Sequence, residues 1–268
     1  MSVRATCRLT GASKGAVLRF LHEAGSFVQV YQHHVLRNLS TVRVEADEIW
    51  SFVGAKQRNA RHEGQGDCWT FCALDADSKL VFSWLVGARS EDNTHAFIAD
   101  VAARLTGRVQ LSTDGWGAYL GGIRKAFAFA RVDYGQIAKS YGQPEGMEPA
   151  VTRRYSPPVC TGVVKRRVIG RPNMATVSTS YVEALNLATR QHCRRFTRLT
   201  IAHSKTAQNH AHAVALHFFA HNFLRVHTTL RRARKAPTTP AMAAGVTDHV
   251  WTVEETLDLM DPNTVTVK

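Results

Sequence analysis

No stretch of the 268-residue chain approaches the roughly 18 consecutive apolar residues of a membrane span. The N-terminus also lacks the charged head and apolar run of a secretory signal, so the expectation is an intracellular protein with no membrane partner. Cysteine is sparse: Cys7, Cys68, Cys72, Cys160 and Cys193 form no Cys-x-x-Cys pair, which excludes a zinc ribbon and reads as reduced core thiols. A Gly-rich phosphate loop is missing, which excludes an ATP-driven helper, and neither an internal repeat nor a coiled-coil heptad is present. Acidic residues are the minority charge. The 21 Asp and Glu face 34 Lys and Arg, a net +13 whose field attracts polyanions; mere solubility is the bland alternative. The 44% hydrophobic content is enough to bury the core of one large domain, or of a main domain with a small appendage.

Local patterns divide the chain into three parts. Residues 1–40 hold two short helical stretches, with Ser2 and Ser13 placed as N-caps and Gly11-Ala12 as the break between them. That is a helix-turn-helix pattern. Its second helix, residues 14–21, turns Val17, Leu18 and Leu21 inward and leaves Lys14 and Arg19 for DNA. An ordinary packed hairpin fits the same spacing. With no helix before Ser2, the expected module is incomplete and weak on DNA by itself.

Residues 41–230 read as an α/β domain with a mixed sheet flanked by helices. Val42, Val44 and Ala46 alternate with Arg43, Glu45 and Asp47, giving a first strand. Residues 69–74 and 80–86 flank the polar turn Asp75-Ala76-Asp77-Ser78-Lys79 as an antiparallel hairpin. A helix from Asp92 carries Phe97, Ile98, Val101 and Leu105 on one stripe. A strand at 109–112 runs into Asp114, followed by a helix to about Phe127 and a further strand near 129–134. The Gly-, Pro- and basic-rich segment at about 135–179 reads as an inserted loop or arm that orders on DNA, with Lys165, Arg166 and Arg167 as phosphate contacts. Helices are expected again at 181–198 and 205–225. Residues 231–268 form a tail with short helices, where Thr252 and Glu255 have capping-box spacing.

Three separated acids carry the chemistry. Mg²⁺ or Mn²⁺ takes oxygen ligands and keeps several waters, so nucleic-acid enzymes bring a few carboxylates together around ions roughly 3.5–4 Å apart. Asp47 and Asp114 stand at or just past strand ends, where such convergence is natural, and Glu183 opens a helix. Each also has a structural reading: Asp114-Gly115 suits a turn, and Ser180-Tyr181-Val182-Glu183 suits a capping box. Asp47 is followed by Glu48. Strand alternation lets only one of the two face the site, and the pattern favours Asp47.

Taken in order, these segments resemble a family. Asp47-Glu48-Ile49-Trp50-Ser51-Phe52-Val53-Gly54-Ala55-Lys56, Thr113-Asp114-Gly115-Trp116 and Glu183-Ala184-Leu185-Asn186-Leu187-Ala188-Thr189-Arg190 resemble the acidic motifs of the insertion-sequence-one transposases, a branch of the DDE transposases. Phe196-Thr197-Arg198-Leu199, Ser204-Lys205-Thr206 and His221-Asn222-Phe223-Leu224-Arg225-Val226-His227 extend the likeness. The resemblance implies an RNase H-like fold, Asp47, Asp114 and Glu183 as catalytic metal ligands for Mg²⁺ or Mn²⁺, and strand transfer between element ends and target as the reaction. It further implies a phosphate contact at Arg190, support from Asn222 and His227, double-stranded DNA as partner, homo-oligomers in the DNA complex, and a bacterial-type cytoplasmic, nucleoid-associated location. Two alternatives remain: a catalytically decayed or partial transposase that only binds DNA, and an RNase H-like metal nuclease that cuts without joining.

Among the other candidates, His217 and His221 share a helical face but lack the Glu of a zinc protease motif, and read as helix-packing or DNA-facing residues. Trp50, Trp69, Trp84 and Trp116 read as core packing, with base stacking as the alternative use.

Overall fold

The computed structural model describes residues 2–127, 131–142 and 159–261. Helix α1 (Val3–Thr10) starts where the Ser2 hydroxyl accepts from the Ala5 amide and stops at Gly11, whose left-handed φ of 72° turns the chain. Helix α2 (Lys14–Val35) is capped by Ser13, whose hydroxyl accepts from the Ala16 amide. It runs 22 residues, well past the expected end at residue 21. The reason is a second buried stripe, Ala24, Gly25, Val28 and Gln32, which recurs at helical spacing with no breaker between. That stripe packs α2 along helix α6 (Ala207–Phe219). At Gly25 the two helices approach so closely that an added Cβ would stand 2.4 Å from the His212 Cβ. The second helix of the expected helix-turn-helix is thus longer than expected and is also a structural member of the main body.

Six strands follow: β1 (Arg43–Val53), β2 (Gly66–Asp75), β3 (Val81–Gly87), β4 (Val109–Thr113), β5 (Val132–Gly142) and β6 (Val159–Ile169). They lie in the order β3-β2-β1-β4-β5-β6. β1, β2 and β3 form an antiparallel meander, β4 pairs parallel with β1, and β5 pairs parallel with β4. This is the RNase H-like sheet that the resemblance implies. Helices α3 (Glu91–Arg104) and α4 (Ala118–Ala126) cover one face through Phe97, Ile98, Val101, Tyr119 and Ile123, packed with Ala46, Phe71, Ala73 and Phe82. On the other face lie helix α5 (Ser180–His192) and α6, whose Val182, Leu185, Val214 and Phe218 pack on Ile49, Cys72, Leu74 and Val81. Even-numbered β1 residues from Val44 thus face α3 and α4, and odd-numbered ones face α5.

Of the segment expected as an inserted loop at about 135–179, residues 135–142 and 159–169 are part of the sheet, and 143–158 lie outside the described residues. β5 continues to Gly142 and pairs antiparallel with β6 from Tyr134↔Ile169 out to Gly142↔Val159. Only residues 132–136 of β5 also pair with β4. Beyond them the two strands form a ribbon that projects from the sheet, with Tyr141, Val159, Val163 and Val164 exposed. Apart from the buried Ile137, most of the ribbon's side chains stand partly or fully in solvent, so its residues show little of the apolar-polar alternation by which a strand is read from sequence. After α6 a π-turn (Ala220–Leu224) leads to α7 (Thr228–Arg234), α8 (Pro240–Ala243) and α9 (Val253–Met260), the last opened by the expected Thr252/Glu255 capping box. No helix among the described residues is long and apolar enough to cross a membrane.

Candidate metal centre

The site forms where β1 outlasts its neighbour. β1 and β4 pair only from Arg43↔Gln110 to Glu45↔Ser112, and β4 ends at Thr113, whereas β1 continues to Val53. The edge of β1 that faced β4 is therefore left without a ladder partner just where the chain turns away at Asp114. The Asp114 Oδ1 accepts from the Trp116 amide at 2.9 Å, which fixes the turn and aims the carboxylate. Asp47, Glu48 and Asp114 each place one carboxylate oxygen so that all three lie within 4.8 Å of one another.

Glu48 is the residue that sequence reasoning set aside. Alternation does send Asp47 toward α5 and Glu48 toward α4, but the free edge of β1 lets both carboxylates meet beside Asp114. A strand with both edges filled would have kept them apart.

The electrostatics suit a cation. Burial, with the nearby charges of Asp114 and Glu183, pushes the Asp47 carboxyl up to about 6. Burial and the charges of Asp114 and Asp47 push Glu48 up to about 7, against the lowering effect of Arg89. Glu48 Oε1 is buried with no hydrogen-bond partner. Crowded carboxylates, an unsatisfied buried oxygen and an all-oxygen donor set fit a hard divalent ion such as Mg²⁺ or Mn²⁺.

Glu183 stands outside this trio. It sits in the first turn of α5, where its Oε1 accepts from the Thr179 hydroxyl at 2.7 Å and pairs with the Lys139 ammonium from the ribbon. Helix α5 lacks a side-chain N-cap, so the capping box that is the alternative reading of Glu183 does not form. Glu45 serves the helix start instead: its Oε2 accepts from the amides of Tyr181 (2.8 Å) and Val182 (3.0 Å), docking α5 onto β1. One turn on, Asn186 Nδ2 donates to Asp47 Oδ2 at 2.8 Å. Arg190 lies near enough for the Asp47 charge to act on it, and its buried Nε has no hydrogen-bond partner.

The remaining predicted residues scatter. Lys14 and Arg19 are exposed on the first turns of α2. Lys165, Arg166 and Arg167 are exposed on β6, with the Lys165 ammonium bonded to the Met174 carbonyl at 3.0 Å. Asn222 is fully buried away from the acids: its Nδ2 donates to the Val81 carbonyl and to Gln32, and its Oδ1 accepts from the Val81 amide, pinning β3 to the helices. His227 lies beside His221, with ring centroids 6.1 Å apart. His217 faces the Thr189 hydroxyl and His221 donates to the Lys79 carbonyl; burial holds them down at about 3 and about 4, so both are neutral packing groups. Trp69, Trp84 and Trp116 pack on the main core.

Residues 40–141 match the model of the IS1 transposase family. That stretch is similar to the IS1 transposase domain. The matched span holds Asp47, Glu48 and Asp114 and ends before α5, so the domain signature covers the carboxylate trio and leaves Glu183 and Arg190 outside it. Among solved structures, a chain of the simian T-cell lymphotropic virus intasome in complex with PP2A regulatory subunit B56 gamma is similar at 13% identity and a TM-score of 0.39, covering 90% of this chain and 69% of that one. Aquifex aeolicus Argonaute is similar at 10% identity and a TM-score of 0.30 over 56% of this chain, which spans 26% of the Argonaute chain. Both superpose loosely, and the fold assignment stands on the strand order of the sheet. No curated protein matches the chain.

Proposed function

We propose that this chain is a DDE transposase of an insertion sequence, which binds the terminal inverted repeats of its element, cleaves the DNA end and joins the freed 3′-hydroxyl to target DNA. The observation that carries the reading is the Asp47, Glu48 and Asp114 trio, gathered at the open edge of β1 inside a transposase-family domain. Held by those carboxylates, with Glu183 as a further ligand, Mg²⁺ or Mn²⁺ supplies Lewis-acid activation of the attacking oxygen and relief of charge on the leaving one. Glu45 and Asn186 hold α5 and Asp47 in fixed relation, which supports Glu183 closing on the trio when the ion is bound. Arg190, with its unpartnered Nε on the Asp47 side of α5, meets a phosphate oxygen of the bound strand. Lys14 and Arg19 on α2, and Lys165, Arg166 and Arg167 on the ribbon, hold the duplex through its backbone. Joining two ends to one target calls for a homo-oligomer in the DNA complex, at the nucleoid of a bacterial-type cell.

The test is a reaction of the purified chain with labelled element-end DNA and a target plasmid in Mg²⁺ or Mn²⁺, beside Asp114→Asn. Joined products that need the metal and vanish in the variant, a loss of at least about a hundredfold for a lost ligand, bear the proposal out; cleavage without joining points to a nuclease. The pairing of Glu183 with Lys139 favours one second reading, a decayed transposase that only binds DNA. Binding without cleavage or joining by either protein selects it.

A further inference from the structure

Arg89 lies between the end of β3 and the start of α3, and its guanidinium meets the acids. Its Nε stands 3.6 Å from Glu48 Oε1, and its Nη2 stands 3.8 Å from Asp114 Oδ2. Neither distance makes a hydrogen bond, and Arg89 Nε and Glu48 Oε1 are both buried without one. Other arginines of this chain close fully on their carboxylates: Arg104 on Asp100 and Arg108 on Asp133, each at 2.6 Å. Arg89 is held off by stacking. Its guanidinium carbon lies 4.2 Å from the Trp116 ring centroid and 5.1 Å from that of Trp69. The Arg89 side chain is 30% exposed, so the slot between the indoles opens to solvent.

We propose that Arg89 is a built-in competitor for the metal ion, a stacked cation that shares Glu48 and Asp114 with the site and moves onto a DNA phosphate as the ion loads. The proposal rests on the metal-dependent reading above and adds a residue to it. A guanidinium that neutralises carboxylates at 3.6 and 3.8 Å gives up two long ion pairs and its stacking when it leaves, losses that the charge of the incoming ion and a phosphate partner offset. A divalent ion on the same carboxylates meets a positive charge within a few ångströms, so it binds weakly while Arg89 stays. A phosphate offers the guanidinium the bidentate partner that Glu48 and Asp114 do not. DNA arrival and metal loading are thereby coupled through one side chain, and by linkage each strengthens the other.

The experiment is calorimetric titration of Mn²⁺ into the full chain, its Arg89→Met variant and its Arg89→Lys variant, with thermal melts to confirm folding. Methionine keeps an apolar stem between the indoles, and lysine keeps the charge. Arg89→Met is expected to bind Mn²⁺ tighter by on the order of tenfold, with Arg89→Lys close to the parent chain. Repeating the titration with duplex DNA present should narrow the gap between the parent chain and Arg89→Met. Equal or weaker Mn²⁺ binding by folded Arg89→Met overturns the competitor role, and a gap that DNA leaves unchanged overturns the hand-over. Should none of the folded chains bind Mn²⁺, the metal reading itself is wrong, and the proposal falls with it.

Discussion

At the scale of single residues, the site is built from side chains whose charges the fold opposes. Glu48 ionises in the folded chain only near 7, against an ordinary value of 4.5. A raised carboxyl costs the folded state once it ionises, so this cost is absent below the ordinary value and grows as pH rises through about 7. Without divalent ions, Glu48→Gln is therefore expected to raise stability by on the order of 2 kcal/mol at pH 8 and to leave it nearly unchanged at pH 4. Urea unfolding at the two pH values checks this; the same change at both would assign the effect to packing. Asp114 was legible in the sequence because it follows a strand at a turn signal, and Asp47 because alternation gave its face, although the expected strand end there does not occur: β1 runs on to Val53. Glu48 was not, because alternation along β1 presumes filled edges, and nothing in the sequence tells how early β4 stops. Arg89 belongs to no motif; its place follows from two indoles brought together from β2 and from the turn after β4.

At the scale of elements, α2 and α6 cross at Gly25 with no room for a methyl group. Gly25→Ala improves helix propensity by about 1 kcal/mol, yet the new Cβ meets the His212 backbone and side chain. The clash dominates, with a net destabilisation of about 1–3 kcal/mol, measured as a lower urea midpoint. Gly25→Ala that is neutral or stabilising would show that the two helices separate easily. The β2–β3 hairpin, α3 and the β4 run into Asp114 could be read directly, since their periods and turns are local. The length of α2 could not be read as easily: its inward stripe changes after Leu21 from residues that pack lightly to residues that α6 covers. The ribbon was legible only as a basic segment, because its order comes from the pairing of two strands with each other and not from any buried face.

At the scale of the whole molecule, buried imidazoles set the response to acid. His217 is held at about 3, with His210 and His221 at about 4, all chiefly by burial. Such groups cost nothing above their ordinary 6.5; as pH falls below it, the unfolded chain takes up protons that the folded chain refuses, and stability drains away. His217→Gln should therefore lose about 2 kcal/mol less than the parent chain between pH 6.5 and pH 4.5. Parallel pH profiles for the two chains would show that His217 is not the titrating group.

The β5–β6 ribbon carries a consequence for how the molecule comes apart. Past Gln136 its backbone amides bond across one ladder only, so their exchange with solvent is governed by the opening of that ladder and not by global unfolding. The partner of Glu183, Lys139, stands on this stretch. Each opening of the ribbon thus frees the Glu183 carboxylate from Lys139, leaving it on the Thr179 hydroxyl, while the core that holds the other three acids stays shut.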